Sequence, residues 1–352
     1  MTQRKPRPNT TNRRNTHDMF RQTSIRQLSH GTTLLLILCL LMSGCRASDE
    51  PRPLIFDTDW WTDVDDACAL RILLAADRQR TAQVLGVCLS AIDDDSYATL
   101  GTFLAAEGYP RLPVGADKQG TDYLGTPSYR GPIQQRSTEH TLTDDDVEDC
   151  VTFYRRLLAQ SHRKVDIVAV GFAGTLSRLL QSTPDEWSPL SGADLIRAKV
   201  GTLYLMAGNY PEGKEHNFSL NARSRQAGTA VCGAWPGEIV FLGYEVGVEV
   251  VAGGGLPHHD LLYQVLEAHG SADGRYMWDP LTLVIALQGS PAAAGFGEVR
   301  GTNSVDATTG ENRFVVHPDG HHRYVTLQQK PAWYAARLDT ILRTSTYRWP
   351  TE

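Results

Sequence analysis

Apolar residues in this chain fall in short runs separated by stretches of helical period, and the two alternate along most of its length. The runs at 54–56, 84–89, 112–114, 166–170, 202–206 and 238–242 have the length and flanks of buried strands. Between them, residues 64–76, 97–107, 144–160, 175–181 and 224–231 predict helices. That alternation predicts an α/β protein with a doubly wound, mainly parallel central sheet and helices on both faces. After Val250 it loosens. Residues 257–269 and 276–287 predict helices, and 331–342 a closing amphipathic helix. Residues 313–316 and 324–327, joined by His317-Pro-Asp-Gly-His-His322, predict an antiparallel hairpin. The polar stretch 115–139, with several Gly and Pro, predicts a loop over the site rather than a domain boundary. The economical reading is a single domain with a late β-hairpin.

The first 44 residues do not belong to that pattern. Residues 1–31 are rich in Arg and Lys and nearly free of acid, 33–42 are apolar, and Ser43-Gly44-Cys45 follow. The apolar core is too short for a comfortable transmembrane helix, which takes about 20 residues. Small residues leading into a cysteine resemble a bacterial lipoprotein signal, cleaved before a lipidated Cys45. The expectation is a signal segment over 1–44, a short tether over 45–52 and a catalytic domain over 53–345. The protein would be exported and membrane-anchored on the periplasmic or cell-surface side. An ordinary secretory signal and an uncleaved anchor are the alternatives, and Met19 is an alternative start. The net charge is −6 and no basic patch carries interleaved aromatics, which argues against a nucleic-acid partner. Cys68, Cys88, Cys150 and Cys232 match neither a zinc site nor a dense disulfide framework and read as buried free thiols. The oligomeric state is left open, a homo-oligomer included.

The chemistry concentrates in Leu54-Ile-Phe-Asp57-Thr-Asp59-Trp-Trp-Thr-Asp63-Val-Asp65-Asp66, where a strand delivers Asp57, Asp59, Asp63, Asp65 and Asp66 into one turn. Like charges in a partly enclosed site are costly unless compensated. A hard divalent cation is the simplest compensation, and strand C-terminal ends are where open α/β sheets place ligands. Helix capping explains Asp65 and Asp66, with Asp63 a lesser case, but not Asp57 and Asp59, which precede the helix.

The cluster resembles the N-terminal signature of the inosine–uridine-preferring nucleoside hydrolase family, in the branch with a longer turn, Asp-Thr-Asp-x-x-Thr-Asp-x-Asp-Asp. Three later segments resemble that family in its order: Val165-Asp-Ile-Val-Ala-Val170-Gly-Phe-Ala-Gly-Thr-Leu176, Met206-Ala-Gly-Asn-Tyr-Pro-Glu-Gly-Lys-Glu215-His-Asn217-Phe218 and Arg275-Tyr-Met-Trp278-Asp279-Pro280. The resemblance implies that Asp59, Asp66, Asp279 and the backbone carbonyl of Val170 hold Ca²⁺, and that Asp59 also takes a proton from water. It implies that Asp65, Glu215 and Asn217 bind ribose hydroxyls, with Asp57 shaping the loop. The reaction implied is Ca²⁺-dependent hydrolysis of the N-glycosidic bond of ribonucleosides or related N-ribosides, giving ribose and free base.

Three departures stand beside these matches. Trp278 stands where the family's best-known members carry a His that protonates the leaving base, and an indole has no such acid. Another group then protonates the base, or it leaves unprotonated, or Trp278 stacks on it. Trp60-Trp61 replace a turn that usually contains Gly, and form either a wall over the base or a packed lid. The early-loop Asn is absent; Asp93 or Asp94 takes its place against the ribose. His216 lies inside the ribose motif, whereas His258-His259 and His321-His322 read as exposed loop residues. Two other readings fit the acidic strand end: a Mg²⁺-dependent haloacid-dehalogenase-type phosphatase using Asp57, and a non-catalytic nucleoside- or sugar-binding lipoprotein.

Overall fold

The computed structural model describes residues 50–123, 125–136 and 141–350. The expected signal segment, Cys45 and most of the tether lie outside them. Strands β1 (Arg52–Thr58), β2 (Ala82–Leu89), β3 (Val114–Ala116), β4 (Glu148–Asp149), β5 (Val165–Ala169), β6 (Val200–Met206), β7 (Glu212–Lys214), β8 (Glu238–Leu242), β11 (Phe296–Val305), β12 (Glu311–Val316) and β13 (His322–Leu327) form one sheet. A small antiparallel pair, β9 (Val251–Ala252) and β10 (Arg275–Tyr276), lies apart from it. The order across the large sheet is β4-β3-β2-β1-β5-β6-β8-β13-β11-β12-β7. Every pair from β4 to β13 is parallel, and the last three pairs are antiparallel. From β1 the chain builds outward in one direction through β2, β3 and β4, then returns to β5 on the other side of β1. The β1/β5 boundary is thus the topological switch point, and a crevice opens beyond the strand ends there.

Two apolar cores cover the faces of this sheet. Leu54 and Phe56 point into one, with residues of helices α1 (Asp65–Arg78), α2 (Ser96–Ala106), α7 (Leu261–His269), α8 (Trp278–Gln288) and α9 (Pro331–Thr344). Ile55 points into the other, with α3 (Cys150–Gln160), α4 (Gly174–Gln181), α5 (Gly192–Lys199) and α6 (Ala222–Ala234). The alternation along β1 is the two-residue period of a strand buried on both faces. Each such Leu, Ile or Phe contributes roughly 1.5–3 kcal/mol on burial. Helix α1 is buried from Asp65 to Ala76, sandwiched between sheet and α8, so its acidic first turn is presented inward.

The structure moves several elements. Helix α3 starts at Cys150, not 144, because Asp149 caps it by accepting the Val151 N–H at 3.0 Å. Asp260 sets the start of α7 in the same way, with Leu262 N at 2.9 Å. The late hairpin is formed by β11 and β12; the expected partners at 313–316 and 324–327 do not pair, since β11 lies between them. β11 escapes a periodicity reading because Gly297, Gly301 and its polar residues break the apolar pattern. His322, expected in an exposed loop, is fully buried in β13, where its Nδ1 accepts the Asn303 N–H at 2.9 Å. Cys68, Cys88, Cys150 and Cys232 are buried and free. Among the described residues no helix is long and apolar enough to cross a membrane.

Candidate active site

The end of β1 separates two acids, Asp57 within the strand and Asp59 just beyond it. Asp57, the last inward residue on the α3–α4 side, is fully buried. Its Oδ2 accepts hydroxyls from Tyr154 at 2.7 Å and Thr175 at 2.6 Å, and burial pushes its pKa up to about 7. Asp59, two residues on, lines the open cavity beyond the strand ends. The turn that separates them bends at Trp60, whose φ of 49° is in the left-handed region. That residue is held in place: the indole is buried against Phe103 and Tyr129, and its Nε1 donates to Thr99 Oγ1 at 3.1 Å. Gly171 lets the β5 end come close; a Cβ there would lie 2.4 Å from the Asp59 nitrogen and 2.5 Å from Ser90 Oγ.

A cavity of about 280 Å³, near the small end for ligand pockets, is floored by carboxylates. Asp59, Asp65, Asp66 and Asp279 are all buried and all line it, with Val170 at the end of β5. Carboxylate oxygens of Asp65, Asp66 and Asp279 lie within 4.8 Å of one another. Thr58 Oγ1 donates a hydrogen bond to Asp66 Oδ1, and Asp65 Oδ2 accepts the Asp279 N–H at 3.0 Å, tying the α1 and α8 N-termini together. Burial and mutual repulsion drive the Asp59, Asp65 and Asp279 carboxyls well above the usual carboxylate range. Burial raises Asp66 to about 7. A group of hard oxygens that cannot all ionise without added positive charge fits a divalent cation. The family resemblance implies a sugar role for Asp65 and metal roles for Asp59, Asp66, Asp279 and Val170; carboxylate oxygens of Asp65, Asp66 and Asp279 lie together, and Asp59 and Val170 line the same cavity.

Further lining comes from the segment after β6. Glu215 is buried, its Oε1 accepting Asn217 N at 2.8 Å and its Oε2 accepting Gly208 N at 2.9 Å. Burial raises its pKa to about 7. Asn217 donates its Nδ2 hydrogens to the Val170 and Met206 carbonyls, both at 3.0 Å. A carboxamide has only two such hydrogens. Asn217 therefore offers a ligand its Oδ1 and fixes the Val170 carbonyl that the sequence marked as a metal ligand. His216, between them, also lines the cavity; its ring stacks on Trp61, centroids 6.5 Å apart, and burial lowers its pKa.

The cavity mouth is aromatic. Trp278 lines it, donating Nε1–H to the Tyr244 carbonyl at 2.9 Å and stacking on the Tyr244 ring with centroids 5.6 Å apart. Arg275 pairs with Asp63, Nε to Oδ1 at 2.8 Å, beside this stack. Trp61 belongs to a cluster with Tyr123 and Phe172 and donates Nε1–H to Gly125 O at 3.0 Å. Neither Trp60 nor Trp61 forms a wall of the cavity. Asp93 is not brought to it either. Arg130 pairs with Asp93 Oδ1, which also accepts Asp95 N at 3.0 Å, and Asp93 borders a separate cavity with Asp94. Thr62, Asp63, Met206, Tyr244 and Arg275 line the main cavity without having been singled out as ligands by sequence. Tyr244 had a signal, since it follows a strand C-terminal end.

No family model matches the chain, and no curated protein matches it in sequence. Solved structures do share its fold. An inosine–uridine preferring nucleoside hydrolase from Bacillus anthracis aligns with TM-score 0.57 and 17% identity, covering 82% of this chain and 99% of that one. An inosine–guanosine nucleoside hydrolase aligns with TM-score 0.61 and 14% identity, covering 84% and 98%. The type III effector protein XopQ, solved with adenosine diphosphate ribose, aligns with TM-score 0.59 and 15% identity, covering 86% and 95%. The chain thus has the fold of the nucleoside hydrolases, a mainly parallel α/β sheet with its crevice at the β1/β5 switch point.

Proposed function

We propose that the protein hydrolyses the N-glycosidic bond of ribonucleosides or related N-ribosides, giving ribose and free base, with Ca²⁺ as cofactor. The observation that carries this reading is one cavity at the switch point, lined by Asp59, Asp65, Asp66 and Asp279 together with Glu215 and Asn217. The fold shared with nucleoside hydrolases supports it.

Asp59, Asp66, Asp279 and the Val170 carbonyl would hold the cation, with Asp65 close enough to join them. When bound, Ca²⁺ supplies positive charge that orients a water and lowers its pKa. Asp59 gives Oδ1 to the Trp61 N–H at 3.2 Å and keeps Oδ2 to take the proton of the attacking water. Asp65 and Glu215 accept ribose hydroxyls, and Asn217 accepts another through Oδ1. Negative carboxylates around the sugar favour the positive charge that develops on it as the bond to the base breaks. Trp278 and Tyr244 place aromatic surface where the base leaves.

A phosphatase would need Asp57 as nucleophile. Asp57 instead points away from the cavity into a Tyr154–Thr175 hydrogen-bond pair. The test is to supply the purified protein with a nucleoside panel and with p-nitrophenyl phosphate, following ribose and phosphate release. Ribose release that a chelator abolishes and Ca²⁺ restores is expected. Phosphate release without ribose would refute the proposal, and metal-dependent nucleoside binding without turnover would leave a binding protein.

We also propose export and membrane anchoring through a lipid on Cys45, on the strength of the basic 1–31 region, the apolar 33–42 core and Ser43-Gly44-Cys45. Labelled palmitate should enter the wild-type chain but not Cys45→Ser.

A further inference from the structure

The two ends of the parallel sheet carry opposite charge. At the cavity end, residues 57–66 and 90–96, where the chain leaves β1 and β2, hold eight acids and no Lys or Arg. The segments that enter the strands at the other end are basic. Arg52 opens β1, Arg80 precedes β2, Arg111 precedes β3, Arg163 and Lys164 precede β5, and Lys199 precedes β6. Arg52, Arg80, Arg111 and Lys164 are exposed. Hydrogen bonds join these segments into one face. Arg163 donates to the Pro51 carbonyl, Lys199 Nζ to the Ser161 carbonyl at 2.8 Å, and Arg78 Nη1 to the Glu107 carbonyl at 3.0 Å. Acids beside them are engaged. Asp166 accepts Arg52 Nη1 at 3.2 Å, Glu107 accepts Arg71 Nε at 2.8 Å, and Asp77 accepts the Val84 N–H and the Tyr109 hydroxyl, both at 2.8 Å.

We propose that this basic face rests on an anionic lipid surface, with the cavity turned away from it. This rests on the Cys45 lipid reading above. Arg52 lies seven residues after Cys45, about 25 Å at full extension, so a lipid on Cys45 holds the basic end of the sheet near the headgroups. Lys and Arg are drawn to anionic headgroups within about a Debye length, roughly 10 Å, and a short tether brings them into that range. The same surface repels the acidic end, in a chain whose acids outnumber Lys and Arg 40 to 34. Substrate then enters the cavity from the aqueous side.

Energy transfer from the lipidated protein to an acceptor dye on the headgroups tests this. Gln79→Cys and Asp94→Cys place a donor label beyond either end of β2, about 25 Å apart. Cys68, Cys88, Cys150 and Cys232 are buried and escape the label. The vesicles are phosphatidylcholine with phosphatidylglycerol, or phosphatidylcholine alone. On the anionic vesicles transfer from Gln79→Cys is expected to be at least about twice that from Asp94→Cys, with a narrower gap on the neutral ones. Arg111→Glu combined with Lys164→Glu should narrow the gap in the same way. Equal transfer from the two labels, greater transfer from Asp94→Cys, or a gap that charge reversal leaves unchanged overturns the inference and spares the lipid anchor. Wild type that takes up no palmitate and stays off both kinds of vesicle overturns both.

Discussion

Asp57 and Asp59 have the same chemistry and stand two positions apart, yet Asp57 closes a buried hydrogen-bond cluster while Asp59 faces the cavity. The left-handed turn at Trp60 and the bare Cα of Gly171 keep them so. Gly171→Ala drives a Cβ into the Asp59 backbone and should cost about 2 kcal/mol in urea unfolding while displacing Asp59. His322 makes a separate prediction. Its Nδ1 accepts a backbone N–H only while unprotonated, and burial lowers its pKa from 6.5 to about 4. The folded state thus binds fewer protons than the unfolded state between these values. Its contribution is full above about pH 6.5 and is lost as pH falls toward 4, up to about 3 kcal/mol. His322→Asn keeps an acceptor without the titration, and its stability should fall less steeply across that window. At this scale the sequence was informative where a residue had no cheaper explanation. Acids at a strand end, followed by Glu215, Asn217 and Asp279, marked the cavity lining because buried acids need a reason. Asp93 was misplaced because its partner, Arg130, comes from a loop 37 residues away that no local pattern connects to it. The neighbours Trp60 and Trp61 are indistinguishable as letters, and only backbone φ sends the first into the core.

At the scale of elements, the site depends on helix α1 entering the sheet crevice acid-first. Arg71, one turn beyond Asp66, clamps that helix: Nε donates to Glu107 at 2.8 Å, past the α2 end, and Nη1 and Nη2 to Asp260 at the α7 cap, both at 2.7 Å. Arg71 is buried and Glu107 nearly so, and Arg71→Met leaves Glu107 only the more distant Arg78, at 3.8 Å. A loss of about 3 kcal/mol is expected by chemical denaturation, with weaker substrate binding as α1 loosens. Strands buried on both faces and long amphipathic helices were legible from periodicity. β11 was not, because its residues face solvent and neighbours in no simple alternation, and helix α5 is too short to give a period of its own. The register of the antiparallel end, with β11 between β12 and β13, is a tertiary choice that loop length alone does not decide.

For the whole molecule, the parallel sheet brings residues from positions 59, 170, 215 and 279 to one crevice, and the carboxylates among them repel in the absence of a cation. A cation that binds only the folded arrangement stabilises it by mass action, about 2.7 kcal/mol at a hundred times its Kd. Chelator should therefore lower the thermal midpoint by about 5 °C, and excess Ca²⁺ should restore it, with protons released on binding. Asp57→Asn, outside the cavity, should leave that Ca²⁺ response in place. The proposed ribosyl chemistry runs through Asp59, on the cavity side of the β1 end. Its most direct test is the rate of base release from inosine by wild type and Asp59→Asn, with Ca²⁺ present. Release by wild type, falling at least about 100-fold in Asp59→Asn, is the predicted result. Equal rates in the two proteins, or no release by wild type from any nucleoside, would contradict it.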